Sequence, residues 1–171
     1  MTRSTHVDNV PKASAEELFS TAYATWTQWD ERARRRMTNI LYMHCRAPAY
    51  EWDWESFTFE YTVTDALYKR ATEVYRLSSA THAERTNKMC QRFKLYEDDA
   101  TVKEIVSLRN ELQHEALWRG GRPGSVLDAD AHYLTKKLRC LNQRLIPALL
   151  GFEGRYTRSP WTAWKGHHQF R

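Results

Sequence analysis

Glycine and proline are scarce, six and five in 171 residues. Strand-rich domains need many tight turns, and tight turns draw on those two residues. Their scarcity argues against a sheet and for long helices joined by few loops. Cysteine is sparser still. Cys45, Cys90 and Cys140 are odd in number, far apart and outside any Cys-x-x-Cys or Cys/His ligand spacing. This argues against a disulfide framework and against a zinc site; buried, reduced thiols of a cytoplasmic protein are expected instead. No apolar run approaches the length of a membrane span, and the opening residues carry no apolar stretch of the secretory kind. A soluble, cytoplasmic protein without membrane contact is expected. No glycine-rich phosphate loop occurs, so no cofactor is expected, and without ligand spacing among Cys and His no metal is expected either.

Large apolar side chains, by contrast, are plentiful. Aromatic residues make up 13% of the chain and seven are Trp, more than a disordered chain could shelter from water, so a packed core is required. The length suits one domain with a sizeable core. The formal net charge of +5 admits an anionic partner such as RNA without demanding one.

Patterning along the chain predicts a flexible leader over 1–13, a helical domain over 14–151 and a basic aromatic tail over 152–171. Ser14-Ala15-Glu16-Glu17 has the form of a capping box. Leu18, Ala22, Trp26, Trp29, Ala33, Met37 and Leu41 then follow at spacings of three or four, which predicts one long helix running to Cys45 and stopped by Pro48. Asp53 is placed to cap a second helix over 54–77, broken by Ser78-Ser79. Thr81 to Glu84 forms another capping box, opening a helix over 82–97. Asp98 or Asp99 starts a fourth, with Gly120-Gly121 as its stop. Asp128 would cap a fifth, kinked at Pro147 and closed at Gly151, with Leu134, Leu138, Leu141, Leu145 and Leu149 turned inward. No segment alternates with period two. The expected fold is all-α, an antiparallel bundle of about five helices.

One segment carries chemistry. Residues 107–118 read Ser-Leu-Arg-Asn-Glu-Leu-Gln-His-Glu-Ala-Leu-Trp. On a helix Asn110 and His114 are four apart and share a face. Arg109 lies about 140° from His114, five steps of about 100° each, and a long arginine can span that offset. An imidazole can take a proton from an attacking 2′-hydroxyl or give one to a leaving oxygen. A guanidinium can hold the phosphate and stabilise the charge that builds on it, and an Asn can orient either group.

Arg109-Asn110-Glu111-Leu112-Gln113-His114 resembles the HEPN motif: an Arg, four to six residues with a polar one first, then His. The local form Leu-Arg-Asn-x-Leu-x-His is close to the version of many bacterial HEPN proteins, and its place late in an all-helical chain is similar. The resemblance implies a HEPN-like bundle that forms a homodimer with the active site at the interface. It implies metal-independent endoribonuclease activity that leaves a 2′,3′-cyclic phosphate, a toxin or antiviral-defence context, and an antitoxin or regulatory protein as a candidate partner. Arg109 and His114 carry over as catalytic and Asn110 as the assisting polar residue. A toxin subgroup bears a Tyr two residues after the His, modified by a partner nucleotidyltransferase; Ala116 stands there in this chain, which speaks against that regulation.

Competing readings stay open at this point. Arg109 could instead pair with Glu104 or Glu111 on a solvated face, and His114 with Glu111. A looser match, Arg76 with His82, straddles a predicted helix break and reads as accidental. Arg32, Arg34, Arg35 and Arg36 read as a solvated helix face before a phosphate grip. Trp26 and Trp29 read as core or dimer interface before base-stacking platforms, and Trp52 and Trp54 are weighed with them. His44 reads as a satisfied, half-buried histidine, and His132 carries no signal. His167 and His168 lack metal-ligand spacing, and the tail around them either holds nucleic acid, packs on the bundle or stays free. The alternatives to a nuclease are a non-catalytic HEPN-like module for dimerisation or for binding a nucleotide or partner, and a plain helical adaptor.

Overall fold

Seven α-helices make up most of the described residues, 12–123 and 129–162 of the computed structural model. They are α1 (Lys12–Thr27), α2 (Glu31–Arg46), α3 (Asp53–Tyr75), α4 (His82–Arg92), α5 (Asp99–Asn110), α6 (Ala129–Leu149) and the single turn α7 (Arg155–Arg158). A 3₁₀ turn at Ala47–Ala49 follows α2, and a π-helical turn at Glu111–Glu115 follows α5. Among the described residues there is no strand, only an isolated bridge between Trp118 and Gly121. The expected all-α class therefore holds, with more and shorter helices than the five expected. No helix of the described residues is long and apolar enough to cross a membrane.

The differences have local causes. The single helix expected to reach Cys45 is two, because Asp30 caps α2 by accepting from the Ala33 backbone N–H at 2.8 Å. The apolar spacing runs straight through from Trp26 by way of Trp29 to Ala33, so period alone hides the break. Helix α1 starts at Lys12, ahead of Ser14, so Ser14 is not its cap. Asp53 belongs to the first turn of α3 and pairs with His132 Nδ1 at 3.0 Å instead of capping. Helix α3 ends at Arg76, in left-handed conformation (φ 55°), before the two serines. The capping box at Thr81 forms as expected: Thr81 Oγ1 accepts from Glu84 N and Glu84 Oε2 from Thr81 N, both at 3.2 Å. Helix α4 is nonetheless short, stopping at Arg92 with Lys94 left-handed (φ 53°). Asp128 lies outside the described residues.

The core lies along α3 and α6, which pack most extensively on each other, with α2 against α3 and α5 against α6. Met37 and Ile40 of α2, Phe57 and Leu67 of α3, Met89 of α4 and Leu108 of α5 are buried there. So are Leu134, Leu138, Leu141, Leu145 and Leu149, the expected inward stripe of α6. Trp26 and Trp29 are partly buried against this core. Of the thiols, Cys90 is buried, Cys140 half-buried and Cys45 exposed; Cys45 thus departs from the expected burial, because α2 turns it away from the stripe of Met37 and Ile40.

Part of the expected tail belongs to the bundle. Phe152, Thr157 and Trp161 are buried, and Trp161 Nε1 donates to Tyr96 O at 2.7 Å. Arg144 Nε donates to Ser159 O at 3.0 Å. His167, His168 and the rest of the tail after Thr162, like the leader over 1–11, lie outside the described residues.

Gly151 ends α6 where expected and shows what the close uses. Its φ is +86°, and a Cβ there would lie 2.9 Å from Thr25 Oγ1 of α1. A left-handed non-glycine residue costs about 1–3 kcal/mol. Gly151→Ala should therefore lower the urea midpoint by a loss of that size; an unchanged midpoint would mean that the turn relaxes freely.

Candidate functional site

Helix α5 begins at Asp98, whose side chain accepts from the Thr101 N–H at 3.0 Å. Val102, Ile105 and Leu108 then bury one face. With Leu108 held inside, Arg109 emerges half-buried and Asn110 exposed.

Beyond Asn110 the helix widens into the π-helical turn and ends at Ala116, left-handed at φ 54°. The expected stop at Gly120-Gly121 thus comes several residues late; those glycines serve the turn that returns Trp118 to Gly121. The early end has a physical anchor. Trp118 is buried edge-on against Phe57, with ring centroids 5.4 Å apart, and draws the chain inward.

The widening matters for the side chains. A π turn takes more residues per turn than an α-helix, so each step rotates less. His114, about 140° from Arg109 on an ideal α-helix, comes back towards it. Arg109 Nη1 donates to Asn110 Oδ1 at 2.9 Å and lies 3.1 Å from His114 Nε2. A guanidinium only donates, so in this contact Nε2 is the accepting atom. Neither Glu104 nor Glu111 pairs with Arg109; Glu111 Oε2 accepts instead from Gly120 N at 3.2 Å. All three residues singled out in the sequence meet at one place, and Asn110 and His114 are open to solvent.

Behind Arg109 stands a set that the sequence did not single out. Its guanidinium carbon lies 5.8 Å from the centre of the Tyr61 ring, within cation–π range. Tyr61 Oη and His82 Nδ1 are hydrogen-bonded at 3.1 Å. Asp65 Oδ1 is 3.5 Å from His82 Nδ1 and from Arg85 Nη1. Burial, then the neighbouring Asp65, raises the Tyr61 pKa far above the ordinary phenol value, so it stays a phenol. Burial lowers the His82 pKa; Asp65 opposes this, and the charges of Arg85 and Arg109 add to it. His82 was half of the match with Arg76, but its partner is Tyr61, while Arg76 is exposed at the end of α3. The one available signal was the Thr81 capping box, which fixes His82 as the first residue of α4.

The other sequence candidates lie elsewhere. Arg35 pairs with Glu31 at 2.7 Å on a solvated face of α2, as expected; Arg36 departs from that expectation, half-buried and paired with Glu73 of α3 at 2.7 Å. His44 is buried and satisfied by Glu60. A concavity lined by Glu104, Arg119, Asp130, Tyr133, Leu134 and Lys137 shares no residue with the Arg109 cluster.

No family model matches this sequence, and no curated protein or solved structure matches it.

Proposed function

We propose that this chain is a metal-independent endoribonuclease of the HEPN type, with Arg109 and His114 catalytic and Asn110 assisting. The observation that carries the reading is the 3.1 Å contact between Arg109 Nη1 and His114 Nε2 at a solvent-open helix end. An incoming phosphodiester would draw the guanidinium onto its oxygens in a charge-assisted pair and release His114 Nε2. The freed imidazole would take the proton of the 2′-hydroxyl as that oxygen attacks phosphorus. The imidazolium so formed would give that proton to the 5′-oxygen as its bond to phosphorus breaks, and a 2′,3′-cyclic phosphate remains. Arg109, planar and always charged, would stabilise the charge that builds on the phosphoryl oxygens. In this reading two copies pair so that their clefts adjoin, the cell compartment is the cytoplasm, and the context is a toxin or antiviral defence.

The product ends test the chemistry. The full chain, incubated with single-stranded RNA in excess EDTA, should release fragments with 5′-hydroxyl and 2′,3′-cyclic phosphate ends. Fragments ending in 5′-phosphate and 3′-hydroxyl would refute the mechanism, as would cutting that EDTA stops.

A second reading has its own support. Phe19 and Tyr23 of α1 and Tyr42 of α2 are 73%, 68% and 65% exposed. Exposed aromatic surface of this kind suits a non-catalytic HEPN-like module that dimerises or binds a nucleotide or partner. Self-association with no cleavage of any RNA by clean protein would favour it.

A further inference from the structure

We infer that Tyr61 and His82 are positioning residues for Arg109: Tyr61 is the platform under the guanidinium, and His82 fixes the platform. The inference rests on the proposed reading of Arg109 as the group that stabilises charge building on the phosphoryl oxygens.

An arginine side chain has several rotatable bonds, and an unsupported one spreads over many poses. Arg109 is constrained on three sides. Its guanidinium carbon sits over the Tyr61 ring. Its Nη1 is committed to Asn110 and His114. Its Nε is buried with no acceptor. Before a phosphate arrives, Nη2 is the edge left for its oxygens, and Nη1 becomes available once His114 is displaced. Burying an N–H without an acceptor is unfavourable, so the pose needs support from its surroundings, and the Tyr61 ring supplies it.

Tyr61 in turn is held at both ends. Its ring packs on Phe57, with centroids 5.9 Å apart, and its hydroxyl is tied to His82 Nδ1. His82 cannot drift, because the Thr81–Glu84 capping box fixes the first turn of α4 that carries it. The charged groups facing His82 are Asp65 from α3, Arg85 from α4 itself and Arg109 from α5. A chain of contacts therefore runs from the start of α4 through α3 to the catalytic end of α5. Its members come from three helices, α3, α4 and α5, so the placing of Arg109 depends on how the three pack.

Substitutions at His82 separate positioning from bulk structure. Asn places a polar atom where Nδ1 stands, whereas Gln places one where Nε2 stands and Leu places none. If Arg109 acts on the transition state, misplacing it lowers kcat and leaves KM nearly unchanged. His82→Leu and Tyr61→Phe should each lower kcat about tenfold or more, since small misplacements in a site are costly. His82→Asn should restore most of the rate and His82→Gln should not. The Arg109 Nε–H signal in NMR gives a readout that needs no RNA. It should exchange with solvent slowly in the wild-type chain and at least about tenfold faster in His82→Leu, as protection is lost. Unchanged exchange in both His82→Leu and Tyr61→Phe would overturn the inference. So would a loss of rate that His82→Asn fails to rescue, since that is the mark of a general structural defect. If the wild-type chain cleaves no RNA, the nuclease reading falls, and the Arg109 exchange rates still decide the positioning.

Discussion

His114→Ala should slow RNA cleavage by about 10²–10⁴-fold, the usual contribution of a positioned proton-transfer group. His114 is exposed and contacts the rest of the chain through Arg109 Nη1, so its removal leaves the core intact and the melting temperature should hold. Arg109→Ala should cost about 10²–10³-fold, the scale of losing one donor to a developing oxyanion. Arg109→Lys should not restore the rate. A lysine has no planar guanidinium to sit over the Tyr61 ring, and its point charge cannot offer a phosphate two parallel N–H donors. The double variant should be scarcely worse than either single one, because two groups that act on one phosphoryl transfer fail as a unit. Initial rates on a labelled oligonucleotide, with circular dichroism melts as the control, supply the measurement. Cleavage that survives both single substitutions would remove these residues from the chemistry.

How far the sequence foretold these positions depends on the range of the interaction. Thr81 and Asp98 act on backbone groups three residues away, so their caps were legible and both exist. The leucine stripe of α6 is a repeating local pattern and was equally legible. Asp30 was missed because the apolar period crosses it unbroken, and a cap in mid-pattern looks like one polar residue among many. The proximity of Arg109, Asn110 and His114 was legible in outline, since they are neighbours on one strand of chain. The means by which they meet was not: the π turn follows from where Trp118 finds its pocket against Phe57, a contact spanning some sixty residues. Tyr61 and His82 were hidden for the same reason. Their roles exist only once α3, α4 and α5 are packed together.

Helix α3 sets two consecutive residues to opposite tasks, and the second large effect comes from the one facing away from Arg109. Glu60 is fully buried, with relative exposure of 0%. Its Oε1 accepts from Arg139 Nη1 at 2.8 Å, and its Oε2 accepts from Asn142 Nδ2 and faces His44 Nδ1, each at 2.8 Å. Asn142 Oδ1 accepts in turn from Thr64 Oγ1 at 2.8 Å. The network joins α2, α3 and α6, the pairings that make the core. Removing one member of a buried charged pair costs about 3–5 kcal/mol, because its partners stay buried without an acceptor. Glu60→Ala should therefore lower the melting temperature by roughly 6–20 °C, at about 2–4 °C per kcal/mol for a domain of this size. Glu60→Gln should lie between it and the wild type, since an amide keeps one acceptor oxygen but turns an NH₂ towards a donor. Replacing both charges, as Glu60→Leu with Arg139→Met, should recover much of the loss, which a double-mutant cycle reads directly. Measured on folded protein below its transition, the cleavage rate of Glu60→Ala should stay close to wild type, since Tyr61 and not Glu60 underlies Arg109. A Glu60→Ala chain within about 1 kcal/mol of wild type in urea unfolding would mean that water replaces the carboxylate at no cost. In that case the bundle would owe its stability to the leucines of α6 and not to the charges between its helices.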